Sequence, residues 1–411
     1  MNNMNYKIRK LEIENKKEAY EEFSKIGATE YGQKIMAKKL FPVALKVKDI
    51  DVKAANILKQ EMLARGGDVV TSRETLLKVE GTTDVIILGS IVAITSLAEK
   101  MKSQPFGLKN LSALILQYLD LLEKESRKKI IKIGSKEFDL KKEGVLIMGI
   151  LNVTPDSFFD GGKYINNDEM QKRILQIVQE GAHIIDIGGL STRPGSKPVS
   201  IEEEIKRVIP AVKFVKRNFN VAVSVDTYRS EVARQAIFEG ADLINDISGL
   251  TFDEKLIDVV VNGNTSVVIM HIKGDPETMQ NNPYYEDVIE EIYNFLYTQS
   301  NLALKKGQPR QKIIIDPGIG FGKTLEHNLK ILAKIKDFKN MGFPVLIGTS
   351  RKSFIGTILN PKNPLPPDNR LIGSISSAVC SFLSGADILR VHDIAQTIEA
   401  LKIAISIKNA I

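Results

Sequence analysis

Residues able to do chemistry gather in this chain at the ends of short apolar runs. The first stretch is GILNVTPDSFFDGG at 149–162, which follows the apolar run at 145–148. It offers Asn152, Thr154, Asp156 and Asp160, broken by Pro155 and closed by two glycines. An apolar strand opening into a polar, turn-rich loop is the layout of a catalytic loop at a strand end. Asn and Asp oxygens suit a hard cation such as Mg²⁺, or a polar ring. An ordinary turn uses the same residue types, so this stretch decides nothing until the pattern recurs.

It recurs along the rest of the chain. Later apolar runs end in Asp186, in Asp226 with Thr227, in Asn245 and Asp246, in Met270 and His271, and in Asp316. The last two end in Thr349-Ser-Arg-Lys-Ser353 and in Arg390-Val-His392-Asp393. Asp226, Asn245 and Asp316 are acceptor-rich and suit a flat heterocycle with amide-like N–H donors. Alone, each carboxylate serves equally well as the cap of the next helix. Arg193, Lys352, Arg390 and His392 are donors that suit a diphosphate and a carboxylate; alone, each is equally a solvated surface cation.

Positioning these residues at one rim requires a regular scaffold. Short apolar strands are expected at 145–152, 183–187, 221–226, 242–246, 266–271, 312–316, 344–348 and 387–391. Amphipathic helices are expected at 168–180, 201–218, 230–239, 253–262, 285–306, 325–341, 370–384 and 395–409. Alternating strands and helices imply a parallel sheet. Eight such units over roughly 265 residues match a (β/α)8 TIM barrel, typically about 250 residues, whose chemistry sits at the carboxyl ends of the strands. An open doubly wound sheet is the alternative architecture.

The first part reads as a smaller α/β domain at 1–130, followed by the barrel at 131–411. In it, 15–40 is a charged helical region, 41–47, 68–70, 76–79 and 84–89 read as strands, and 52–64, 91–101 and 111–122 read as helices. None of its loops concentrates catalytic residue types. The lysine-rich segment 128–142 reads as a hairpin turning at Gly134-Ser135.

Composition narrows the function classes. The 411 residues carry a formal charge of +7, 43% hydrophobic and 26% charged residues, and no Trp. Lysines mixed among glutamates, with no basic–aromatic platform, speak against nucleic-acid binding. No apolar run reaches membrane-spanning length, and the amino-terminal residues lack a secretory pattern. The one cysteine, Cys380, excludes an internal disulfide framework and is expected to be a small buried hydrophobe. On these features the protein is expected in the cytoplasm. The run Gly318-Ile-Gly-Phe-Gly-Lys-Thr324 is one residue short of a P-loop and reads as a glycine loop for close approach of a ligand. The four histidines lack zinc-ligand spacing; His183 and His327 read as structural, and His271 as a neighbour of the site.

Taken together, GILNVTPDSFFDGG at 149–162, IIDIGGLSTRPG at 184–195, SVDT at 224–227 and LINDISG at 243–249 resemble the dihydropteroate synthases, pterin-binding enzymes of the folate pathway. MHIKGDPETMQ at 270–280, DPGIGFGK at 316–323, SRKS at 350–353 and RVHD at 390–393 continue the resemblance, which covers about 130–411. It implies a TIM barrel that joins 6-hydroxymethyl-7,8-dihydropterin diphosphate to p-aminobenzoate, releasing diphosphate. It implies that Asn152 binds Mg²⁺ with the diphosphate, and that Asp226, Asn245, Asp316 and Lys352 hold the pterin. Thr192, Arg390 and His392 would take the diphosphate, and Phe158, Arg193, Pro194 and Ser353 would form the p-aminobenzoate site. Two positions depart from the family pattern: Leu190 stands where Glu is usual, and Phe159 where a small residue is usual. The first domain resembles an extension carried by some longer members.

Two other functions use parts of this pattern. A methyltransferase acting on methyltetrahydrofolate keeps carboxylates for the pterin but needs no diphosphate clamp, against which 350–353 and 390–392 argue. A non-catalytic pterin-binding protein has no need of Asn152, Lys352 and Arg390, which are all present. Apolar surfaces at 375–383 and 398–407 are compatible with a homodimer.

Overall fold

The computed structural model describes residues 7–13, 15–127, 130–153, 167–190 and 199–410. The chain divides into two compact units at Arg127/Lys128. In the first unit, α1 (Lys16–Lys25) is capped by Asn15, whose side chain accepts from the N–H groups of Lys17 and Glu18. The expected single helical region is two helices. Gly27, at φ +79°, ends α1, and Thr29 caps α2 (Glu30–Leu40). There follow β1 (Pro42–Asp51), α3 (Val52–Leu63), β2 (Asp68–Thr71), β3 (Thr82–Ser90), α4 (Ile91–Met101) and α5 (Leu108–Arg127). The strands form an antiparallel sheet in the order β1-β3-β2. Val69, Val85 and Ile87 bury one face against Leu58, Met62, Ile94, Leu97 and Met101 of the helices. The strand expected at 76–79 is absent. Arg73–Leu76 is a 3-10 turn instead, because the buried Thr75 hydroxyl ties back to Ser72 and across to Thr83.

The second unit begins with the expected hairpin, β4 (Ile130–Ile133) and β5 (Lys136–Asp139), then the short α6 (Leu140–Glu143). Among the described residues, eight parallel strands follow: β6 (Leu146–Asn152), β7 (Ile184–Gly188), β8 (Ala222–Asp226), β9 (Leu243–Asp246), β10 (Ser266–Met270), β11 (Ile313–Asp316), β12 (Leu346–Ile347) and β13 (Ile388–Val391). Each pairs with its sequence neighbours, and β13 returns to β6. A bridge between Ile315 and Val345 joins β11 to the entry of β12 and closes the ring. The open doubly wound alternative is thereby excluded. The strand expected at 344–348 is shortened to two residues, since Pro344 has no N–H to give a ladder.

The alternation of strand side chains sorts the core into layers. Ile147, Ile185, Val223, Val267 and Ile313 point outward to the helices, while Leu146, Met148, Ile184, Ala222, Leu243, Val268, Ile314, Leu346 and Ile388 fill the barrel. Ile131, Ile133 and Leu140 join that inner cluster, so the hairpin plugs the barrel floor as well as carrying lysines. The surrounding helices are α7 (Asn167–Gln179), α8 (Ile201–Asn218), α9 (Ser230–Phe238), α10 (Leu256–Asn262) and α11 (Val288–Lys305). They continue with α12 (Leu325–Ala333), α13 (Ile335–Lys339), α14 (Ser353–Leu359), α15 (Leu371–Leu383) and α16 (Ile394–Asn409). Several starts differ from expectation. Asp253 spends its carboxylate on the N–H groups of Ser230 and Lys255, so α10 begins later. Asp287 caps α11, leaving Tyr285 outside the helix with its hydroxyl donating to Gly322 O at 2.9 Å. The expected helix 325–341 is split at Lys334, and α14 is an extra short helix. Cys380 is exposed, not buried: on α15 it lies half a turn from Ala378, which faces the core.

Three strand entries share one clip. Asp242, just before β9, donates its N–H to Val223 O and accepts from Val223 N at 2.9 Å, while Lys216 pairs with the same carboxylate oxygen. Asp387, before β13, clips Val345 in the same way and pairs with Lys339. His183, before β7, does it through Nδ1, accepting from Ile147 N at 3.0 Å, with Nε2 on Glu143. These clips lie at the amino-terminal face of the barrel, where they serve stability.

Candidate active site

One layer above the apolar filling, five of the eight strands place a polar residue two positions beyond an inward-facing one. Asp186 follows Ile184, Ser224 follows Ala222, Asn245 follows Leu243, Asp316 follows Ile314 and Arg390 follows Ile388. The period of two sends all of them into the mouth of the barrel. Asn152 and Asp226 stand one step further out on β6 and β8. Register pairs Asp226 with Asn245 and Gly188 with both Asn152 and Asp226.

The acceptor flank is enclosed. Asn245 and Asp316 are buried and Asp226 is half-buried. Asp316 Oδ1 accepts from Gly318 N at 2.7 Å, and the chain turns away at Gly318 with φ +72°. Burial pushes the Asp316 carboxyl up to about 6, tempered by the Gly318 N–H and by Lys352. Burial likewise raises Asp226 to about 7; Arg390 opposes the rise, while Asp186 and Glu204 add to it. Asp246 is structural: it accepts from Ser248 N, Ser248 Oγ and Leu250 N and holds the loop after β9.

The donor flank comes from the last two strand ends. Arg390 donates through Nε to Asp186 Oδ2 at 2.6 Å and through Nη2 to Asp226 Oδ2 at 2.7 Å. Lys352 immediately precedes α14 and sets Nζ 4.0 Å from the centre of the Phe321 ring. Burial lowers it to about 8, with Arg390 adding to the fall and Asp316 and Asp226 opposing it. The site backbone around Lys352 is braced. Arg351, at φ +58°, gives its N–H to Ser374 Oγ and its guanidinium to both oxygens of Asp393. His392 was expected to act with the cations, but burial and Arg390 lower it to about 3, so it is a neutral donor. Ser350 Oγ lies 3.0 Å from its Nδ1. Ser353 is exposed at the start of α14. Arg193, Thr192, Pro194, Phe158, Phe159, Thr154, Asp156 and Asp160 lie outside the described residues, whereas Leu190 is described and half-buried.

Three residues that the sequence places at a strand end or in the glycine loop, without a role of their own, belong to the constellation. Asp186, with 0% exposure, holds Arg390. Phe321 floors Lys352 and joins the rim cluster of Ile247, Met270, Ile272 and Met279. Lys323 is buried, its Nζ 3.0 Å from His271 Nδ1 and 2.9 Å from Phe321 O. His271 is held neutral at about 2, chiefly by burial. The only advance signal for these three was their place at a strand end or in the glycine loop.

Residues 148–392 match the family of pterin binding enzymes. The chain belongs to that family. It is 44% identical over 274 residues to the dihydropteroate synthase of Synechocystis sp., covering 67% of this chain and 93% of that one. The Yersinia pestis dihydropteroate synthase with a sulfonamide drug complex superposes with TM-score 0.63 at 39% identity, over 69% of this chain and 100% of that one. The Xanthomonas albilineans enzyme with 4-aminobenzoic acid gives TM-score 0.63 at 36% identity, over 68% and 98%. All three alignments span about two thirds of this chain and nearly the whole of the relative, so the family provides a barrel-sized counterpart.

Proposed function

We propose that the chain is a dihydropteroate synthase. It joins the methylene carbon of 6-hydroxymethyl-7,8-dihydropterin diphosphate to the amine of p-aminobenzoate, giving 7,8-dihydropteroate and diphosphate. The observation that carries this reading is the two-sided rim: Asp226, Asn245 and Asp316 face Lys352, Arg390 and His392 across one barrel mouth. The relative solved with 4-aminobenzoic acid supplies one substrate by analogy.

On this reading Asp226, Asn245 and Asp316 accept from the ring and amino N–H groups of the pterin, and Lys352 donates to its acceptors. Arg390 and the neutral N–H of His392 take the diphosphate, with Thr192. As the C–O bond to diphosphate breaks, positive charge grows on the methylene carbon. The ionised Asp226 and Asp316 stabilise that charge from fixed positions. The amine forms the new C–N bond and then gives up a proton to solvent. Phe158, Arg193, Pro194 and Ser353 form the p-aminobenzoate side.

A magnesium ion fits the outer step of the rim. A side-chain atom built on Gly188 would lie 3.6 Å from Asn152 Oδ1 and 3.9 Å from Asp226 Oδ2, ordinary contact distances, so both oxygens border the same space beside Gly188. Among the described residues no group of three or more His, Cys, Asp or Glu is placed to hold a metal. Asn152, water and diphosphate oxygens are the ligand set that suits Mg²⁺, which when bound neutralises charge on the leaving group. Calorimetry of diphosphate with and without Mg²⁺ tests this: Asn152→Ala should weaken the magnesium-dependent part only.

The decisive experiment is diphosphate release in a coupled assay requiring both substrates. Release independent of p-aminobenzoate, or no release with Mg²⁺ present, rejects the reading in favour of a methyltransferase or a binding protein. Among the described residues no helix is long and apolar enough to cross a membrane; fractionation checks the expected cytoplasmic location. The exposed Ile372, Leu383, Ile403 and Ile407 on α15 and α16 support a homodimer, which sedimentation tests.

A further inference from the structure

Asp186 has no part in the chemistry above, yet it is fully buried and holds groups from three other strands. Its Oδ1 accepts from Ser224 Oγ at 2.6 Å. Its Oδ2 accepts from Asn245 Nδ2 at 3.1 Å and from Arg390 Nε at 2.6 Å. Arg390 also reaches Asp226 Oδ2 at 2.7 Å through Nη2. One guanidinium is therefore shared by two carboxylates, and the second is the one proposed to read the pterin.

That sharing creates a conflict which Asp186 resolves. While Nη2 donates to Asp226 Oδ2, that N–H is closed to an anion and that lone pair is closed to a heterocycle. Pulling apart a buried ion pair with no other partner strands an uncompensated charge. We infer that Asp186 is a positioning residue that retains Arg390 through Nε, so that Nη2 can exchange Asp226 for diphosphate and release Asp226 to the pterin. The cation then has a carboxylate partner before and after the exchange. The planar guanidinium, with donors fixed in one plane, is suited to pivot on one hydrogen bond while redirecting another. Asp186 also orients Asn245. A carboxylate accepts only, so it takes the amide NH₂ and turns Asn245 Oδ1 outward as an acceptor.

The inference rests on the proposed roles of Arg390 and Asp226, and a double-mutant cycle separates the two. In Asp186→Asn the amide oxygen can replace Oδ2 for Asn245 and Arg390, and the NH₂ can donate to Ser224 Oγ. The hydrogen bonds survive and the charge goes, so the melting temperature should stay close to the parent's. Inorganic diphosphate is titrated calorimetrically into the parent, Asp186→Asn, Asp226→Asn and the double variant. Asp186→Asn alone should weaken binding about tenfold, because Arg390 then belongs to Asp226. In the Asp226→Asn background the same change should cost less than about twofold, a non-additivity expected only of directly coupled groups. Equal losses in both backgrounds, or no loss in either, overturn the inference, since a merely structural carboxylate behaves so. If Arg390→Ala leaves diphosphate affinity unchanged, the role of Arg390 falls and this inference with it. If binding needs Arg390 and the cycle is additive, this inference alone falls. Asp186→Ser provides the same cycle should the Asn chain not fold.

Discussion

Lys352 rests on Phe321: its Nζ is 4.0 Å from the ring centre, and its chain lies against Gly320, where an added Cβ would stand 3.1 Å from Cδ. An ammonium over an aromatic face gains about 0.5–2 kcal/mol, more as the site dries. The ring therefore holds the ammonium within electrostatic reach of Asp316 and Asp226, both of which act on it. Lys352→Ala is expected to abolish diphosphate release while leaving circular dichroism and the melting temperature nearly unchanged. Phe321→Leu, which keeps the apolar floor but removes the ring, should retain measurable turnover with a raised KM for the pterin. Full activity in Lys352→Ala would contradict the assignment.

The pH profile of kcat/KM follows from the same groups. Asp226 and Asp316 must be ionised, and their carboxyls sit near 7 and 6. Activity should fall as pH drops through that window. Lys352 must be protonated and sits near 8, so activity should also fall as pH rises past it. The expected result is a bell with its maximum between 7 and 8. His392 stays neutral across the whole range, its value near 3, and adds no limb. A flat profile from about 5.5 to 9 would show that these groups do not control binding or chemistry.

The barrel was legible because each unit repeats the same local switch, an apolar strand with period two and then a helix with period 3.6. Asn152, Asp226, Asn245, Asp316, Lys352, Arg390 and His392 could be named as strand-end residues for the same reason. What escaped was long-range or one-sided. Nothing local says that Arg390 will meet Asp186, 204 positions away. Nothing in the types His, Asp and Asp says that His183, Asp242 and Asp387 make the same clip. Cys380 misled because its neighbours in sequence are apolar, whereas burial on a helix depends on the turn. The 76–79 segment misled because a short apolar run carries no period of its own, and Thr75 settled it through hydroxyl bonds.

The clips make a prediction that separates stability from activity. Asp387 is buried and gives Val345 N its partner at 2.9 Å, with Lys339 neutralising it. Asp387→Ala leaves that N–H without an acceptor, a loss of about 1–3 kcal/mol. For a domain of this size each kcal/mol lowers the melting temperature by roughly 2–4 °C. Below the transition kcat and KM should be unchanged, because the clip lies at the face opposite the site. Asp242→Ala should behave alike, through Val223 N. A large loss of kcat at 25 °C in either variant would mean that the two ends of the barrel are coupled.

Two glycines of the loop after β11 should fail in different ways. At Gly318, with φ +72°, a Cβ would come within 1.9 Å of the backbone oxygen of His271. That oxygen is backbone, one residue beyond β10, and accepts from Lys323 Nζ at 3.3 Å; the left-handed backbone alone disfavours a side chain by about 1–2 kcal/mol. Gly318→Ala should therefore lower the melting temperature. It should also loosen the 2.7 Å bond from Gly318 N to Asp316 Oδ1, which holds that carboxyl down. The acid limb of kcat/KM should then move to higher pH in whatever enzyme remains folded. At Gly320, φ +80°, the nearest obstacle is instead the flexible chain of Lys352 at 3.1 Å, with Nζ at 3.5 Å. Gly320→Ala meets the same backbone preference but pushes the lysine rather than the strand. Its stability loss should be the smaller of the two, and its effect should show as a raised KM for the pterin. Differential scanning calorimetry beside steady-state kinetics on both variants checks the contrast; equal melting temperatures with equal KM would show that the loop moves as one body.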